Sequence, residues 1–218
     1  MTVTTPRQAL RVAYQGVAGA FSEMAARACH DDAVTIPART FDEALALVSD
    51  GRADHAVLPV WNSTIGDVLD ARRALRDYER RVETVDEVTV PVRHCLLALP
   101  GATLDTLRAV GSHPAALAQC NRFLVEHPRL MPCVAFDTAG AARDLARLRA
   151  RGDEPADSTL APWYAEVGDA DARALAVIAA RGAAERYGLA VLMEGVQEDP
   201  DNATVFAVVR ARRDAARW

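Results

Sequence analysis

The chain has 218 residues, half of them hydrophobic and a quarter charged, with a formal net charge of −5. That length supports one large domain or two small lobes with proper cores, and the acidic balance disfavours general nucleic-acid or membrane-surface binding while leaving room for a small anion in a locally positive pocket. No apolar run approaches the ~18 residues of a membrane span and the N-terminus lacks a signal-peptide h-region, so the sequence reads as cytoplasmic.

In chain order, RVAYQG at 11–16 is a short strand entering a turn, and AGAFSEMAARACH has helical spacing. VTIPA reads as a strand. TFDEALALVSDG is a capped helix, with Thr40 as N-cap, Glu43 in capping-box position and Gly51 past the end. ADHAVLPV is a buried strand and GDVLDARRALRDYE the next helix. VTVPVRHCLLALPG supplies one or two strands, with Pro91 marking an edge or crossing point. TLDTLRAVGSHPAALAQCNRFLVEHP reads as short helix, strand, polar turn and long helix; MPCVAFDTAGAARDLARLRARG as strand, turn and helix. Residues 151–158 form a charged loop, and LAPWYAEV has no clear assignment. ARALAVIAARGAAERYG reads as helical with Gly188 as cap, and the last stretch as strand, loop, strand. Alternating strands and helices predict two α/β units with mostly parallel sheets.

Cys29, Cys95, Cys120 and Cys133 lack CxxC spacing and read as buried thiols in a reducing compartment. The five histidines lack metal-site spacing, and there is no P-loop, GxSxG elbow or full dinucleotide fingerprint. No metal or cofactor is expected.

Four polar turns at strand ends could carry chemistry, since open α/β sheets bind ligands there. QGVAGAFSE could hold an anion on backbone N–H groups, or be a plain turn. Asn62 and Ser63 in WNSTIG could bind a carboxylate or hydroxyl, or form an Asx turn. In GSHPAALAQC, Ser112 suits an N-cap, His113 could titrate, and Gln119 lies about two helical turns beyond Ser112. Asn202 and Thr204 precede an apolar strand in DPDNATVFAVV.

Taken together, these turns resemble the prephenate dehydratase family. VAYQGVAGAFSEMAA is similar to its G-x-x-G-x-[FY]-S-E block, ADHAVLPVWNSTIG to V-P-[IV]-E-N-S-x-x-G, and VGSHPAALAQC to V-x-S-H-x-x-A-L-x-Q-C. AAERYGLAVLMEGVQEDPDNATVFAVV is similar to the block ending in N-x-T-R-F. The resemblance implies a two-lobed, periplasmic-binding-protein-like (type II) α/β fold with an interlobe cleft. Its first lobe would be 10–88 plus 190–213, its second 89–189, and its tail 214–218. It implies conversion of prephenate to phenylpyruvate, water and carbon dioxide, in phenylalanine biosynthesis, by a homodimer or homotetramer. Arogenate is another possible substrate. The family's C-terminal ACT domain would begin about where this chain ends, so ACT-type feedback is not expected.

Carried over by position, Thr204 would be the general acid, with Asn62, Ser112 and Gln119 orienting the substrate. Ser63, Ser22, Phe206, Asn202 and His113 would line the substrate site. Two positions depart from the family: Trp61 replaces the glutamate before Asn-Ser, and Val205 the arginine of Thr-Arg-Phe. Both are expected to alter specificity. Arg181 could relocate the lost positive charge, or be a surface helix arginine. A non-aromatising prephenate decarboxylase and a non-catalytic anion-binding homologue are the alternative readings.

Overall fold

A computed structural model describes residues 9–30, 32–151 and 172–213, which form two compact units. The first comprises Met1–Gln15, Ser22–Val90 and Thr204–Trp218, so far as these are described. Its strands are β1 (Arg11–Gln15), β2 (Val34–Ala38), β3 (His55–Asn62), β4 (Gly66–Asp67), β5 (Val82–Pro91) and β11 (Ala203–Ala211). Their order is β2-β1-β3-β11-β5, with β4 added to β3. β1 runs parallel to β2 and β3, whereas β11 is antiparallel to β3. The parallel pairs need crossovers, supplied by helices α1 (Phe21–Cys29) and α2 (Phe41–Ser49); α3 (Leu69–Asp77) follows β4. α2 starts where the sequence predicts: Thr40 Oγ1 accepts from the Glu43 N–H at 3.1 Å, and the Glu43 carboxylate accepts from the Arg39 N–H at 2.7 Å. Its apolar face delivers Ala44, Leu45 and Val48 to a core with Ala13, Leu58, Ala71 and Val209.

The second unit comprises Gly16–Phe21 and Pro91–Ala203. Its sheet has the order β10-β6-β9-β7-β8, from β6 (Cys95–Ala98), β7 (Ala109–Ser112), β8 (Met131–Val134), β9 (Leu175–Ala179) and β10 (Ala190–Glu194). β7 is parallel to β8 and β9; β6 is antiparallel to β9 and β10. Helices α4 (Pro114–Gln119) and α5 (Asn121–Glu126) pack on one face around Leu96, Phe123 and Ile178. Helices α6 (Thr138–Arg151) and α7 (Arg181–Tyr187) cover the other around Leu97, Leu145 and Val177.

Five sequence expectations change here. Residues 172–188 are not one helix but a 3-10 turn, β9 and α7. The run Leu-Ala-Val-Ile-Ala is buried on both faces, so it carries no alternation to mark it as a strand. The expected long helix breaks at Cys120, whose φ of −111° and ψ of 18° are not helical. The short helix expected in TLDTLRAV is a set of turns. Residues 16–21 and 190–203, grouped with the first lobe by the family resemblance, lie in the second unit, where β10 pairs with β6 and the Ala18 carbonyl accepts from the Tyr187 hydroxyl. The charged loop expected at 151–158 begins one residue late, since Arg151 ends α6, and its remaining residues lie outside the described residues, as do LAPWYAEV and the tail 214–218.

Candidate active site

In the first unit, Asn62 ends β3 and faces Thr204 directly across the antiparallel ladder to β11. The Asn62 side chain has two jobs. Its Oδ1 accepts from the backbone N–H groups of Thr64 and Ile65 at 3.0 and 3.1 Å, closing an Asx turn. That fixes the amide orientation, and Nδ2 then donates to Thr204 Oγ1 at 2.9 Å. The Asx turn and the grip on Thr204 therefore come from the same amide. Both residues are buried, at 4% and 8% exposure. The Thr204 hydroxyl accepts from Asn62 and has no acceptor for its own hydrogen among the described residues, so it is poised as a donor.

In the second unit, Gln119 ends α4, and its Oε1 accepts from Asn202 Nδ2 at 3.1 Å. It also lies 2.9 Å from His94 Nε2. His94 is 3% exposed, and its backbone N–H donates to Gln197 Oε1 at 2.9 Å. Burial pushes the His94 pKa below its ordinary value, against a smaller upward push from Gln119, so the ring is neutral near pH 7. The sequence brings out Gln119 and Asn202 but misses His94 and Gln197. Neither belongs to a polar turn with its partners, and His94 is 25 residues from Gln119. The available signal is a single histidine immediately before the fully apolar strand CLLA.

The other expected residues have simpler surroundings. Ser112 is fully buried at the end of β7, and its hydroxyl donates to the Ile178 carbonyl at 2.6 Å. It is therefore not the N-cap of α4. That position belongs to exposed His113, whose Nδ1 accepts from the Ala115 N–H at 3.2 Å. Ser22 is half-buried in the first turn of α1, and Ser63 is exposed beside Asn62. Phe206 is buried at 2% exposure, so its ring supports β11 from within. Arg181 is exposed and ion-paired with Glu194 of β10, which neutralises the charge it could have offered an anion. The loop Gly16–Phe21 docks on α7: the Tyr187 hydroxyl donates to the Ala18 carbonyl at 2.7 Å. Gly19 approaches so closely that a Cβ there would lie 2.7 Å from Ala183 Cα. Trp61 and Val205 are direct register partners across β3 and β11, next to a shift in the ladder between Val205 and Phe206. Trp61 is 41% exposed where its neighbour Asn62 is buried, so adjacent positions present opposite faces of the sheet.

The family model described as prephenate dehydratase matches residues 12–214. The chain belongs to the prephenate dehydratase family. Arogenate dehydratase 1 of Petunia hybrida is 39% identical over 205 residues, covering 92% of this chain and 42% of the relative. The bifunctional N-acyl-homoserine lactone acylase/prephenate dehydratase of Komagataeibacter europaeus is 35% identical over 201 residues, covering 92% and 63%. Among solved structures, prephenate dehydratase from Arthrobacter aurescens in complex with L-Phe superposes with a TM-score of 0.74 at 27% identity, covering 93% of this chain and 61% of that one. The chain thus spans less than half the length of the petunia relative.

Against the family pattern, the two departures become one. A glutamate at 61 and an arginine at 205 would stand opposite each other, where unlike charges pair. Trp61 and Val205 are themselves an apolar pair at this register position, with no charge on either strand.

Proposed function

We propose that the chain catalyses the dehydration and decarboxylation of a prephenate-type dianion. Prephenate would give phenylpyruvate, and arogenate would give phenylalanine, with no cofactor. The observation that carries this is the Asn62–Thr204 pair, in which a buried hydroxyl is held by its oxygen and keeps its hydrogen to give. Hydroxide is a poor leaving group, so a placed proton donor is what the reaction requires. As the ring carboxylate leaves as carbon dioxide, the electrons of the broken C–C bond enter the ring. The ring C–O bond then breaks, and the Thr204 proton turns the departing hydroxyl into water. Thr204 is reprotonated from solvent, and aromatisation drives the step.

Gln119 would orient the substrate through its amide nitrogen, which has no partner among the described residues. Ser112 would act only as an acceptor, its hydrogen being engaged with Ile178. Trp61 and Val205 would tune the edge of the site from the other face of the sheet, so we favour dehydration over hydroxyl-retaining decarboxylation. A cytosolic homo-oligomer completes the proposal; the cysteines are free thiols, and no helix among the described residues is long and apolar enough to cross a membrane.

Thr204→Val tests the donor. The valine keeps the shape and removes the hydroxyl, so kcat for phenylpyruvate formation should fall about 10²- to 10⁴-fold with KM little changed. Undiminished turnover would remove Thr204 from its role.

A further inference from the structure

We propose that His94 is a positioning residue: its Nε2–H holds the side-chain oxygen of Gln119, so that the Gln119 amide nitrogen is presented to the substrate. This rests on the assignment of Gln119 as a substrate-orienting group. The physical basis is donor and acceptor counting. Gln119 Oε1 can only accept, so the His94 nitrogen 2.9 Å away must carry the hydrogen. The Asn202 amide nitrogen, donating at 3.1 Å to the same oxygen, fixes the orientation a second time. The reversed amide would set two NH₂ groups against each other.

The residue is held through both backbone and ring. The backbone N–H of His94 donates to Gln197 Oε1, and its carbonyl accepts from the Val196 N–H at 3.0 Å. The Phe21 ring meets the imidazole edge-on, with centroids 5.5 Å apart and an interplanar angle of 86°. Nδ1 is buried without a partner, which leaves its lone pair empty-handed. A buried polar atom of this kind is costly to retain for packing alone, whereas an aromatic or aliphatic side chain would fill the space without it. The nitrogen that does bond is the one that reaches Gln119. His94 therefore acts through Gln119 and touches no reacting atom.

Four variants decide the matter, with prephenate as the probe: His94→Phe, His94→Gln, Gln119→Leu and the double variant His94→Phe/Gln119→Leu. His94→Phe keeps the ring and loses the donor. It should raise KM and cut kcat/KM about tenfold, the loss of one hydrogen bond in the site. His94→Gln, which retains an N–H near the same place, should recover most of that loss. The double variant should be no slower than Gln119→Leu alone, since the histidine has nothing left to hold. A full-speed His94→Phe enzyme, or losses that multiply in the double variant, would overturn the proposal while leaving the Gln119 assignment intact. A full-speed Gln119→Leu enzyme would overturn both. Nitrogen NMR of the wild-type protein supplies a readout independent of activity: His94 should be the neutral Nε2–H tautomer near pH 7, and the Nδ1–H tautomer would contradict the proposal.

Discussion

Asn62 shows how one side chain in a polar turn can both close the turn and fix a neighbour across the sheet. Its oxygen closes the turn, and its nitrogen holds Thr204. The pairing of positions 62 and 204 is a property of the ladder, and so is that of 61 and 205. Sequence exposes all four as points in a motif but not as two cross-strand pairs on opposite faces. This geometry has a consequence for the substitutions at 61 and 205. Trp61→Glu and Val205→Arg should each lower stability, and the double variant should regain part of the loss, with a coupling of about 0.2–1 kcal/mol. A double-mutant cycle by urea unfolding measures this. Phenylpyruvate should remain the product of all three, because the pair does not share a face with Thr204. Additive losses would contradict the cross-strand coupling, and a change of product would place Trp61 and Val205 in the chemistry itself.

At the scale of elements, α2 was the most legible helix because it announces both its ends. Thr40, Glu43 and Gly51 bracket α2 in sequence and in space. The second half of the chain was less so. β9 sits between β6 and β7 with both faces covered, and an alanine-rich strand buried on both sides has the composition of a helix. The first glycine-rich turn was legible as a turn, yet not for what it packs against. Gly19 has a φ of +88° and faces the Ala183 backbone, which cannot step aside. Gly188, at a φ of +67° after α7, has open space around the missing Cβ. Gly188→Ala should cost about 1 kcal/mol, the conformational penalty alone. Gly19→Ala carries the same penalty plus the clash and should cost about 2–4 kcal/mol. Equal unfolding midpoints for the two variants would show that the loop does not depend on its close approach to α7.

For the whole molecule, length, charge and alternating elements led to two α/β units, and the structure has two, each built on a mixed sheet with its own core. The boundary was legible only in part. The chain passes from one unit to the other between Ala203 and Thr204, inside a continuous apolar strand with no glycine or proline to mark it. As a result Asn202 serves the Gln119 cluster and Thr204, two positions on, serves the Asn62 pair. Family membership and the intact Thr204 together support loss of both water and carbon dioxide from one substrate. The most direct measurement is the product itself, read by ultraviolet spectrum and mass after incubation of the protein with prephenate. We expect phenylpyruvate, aromatic and short of both water and carbon dioxide. A non-aromatic product that has lost only carbon dioxide and kept its hydroxyl would contradict the proposed reaction, and unaltered prephenate would contradict catalysis on this substrate.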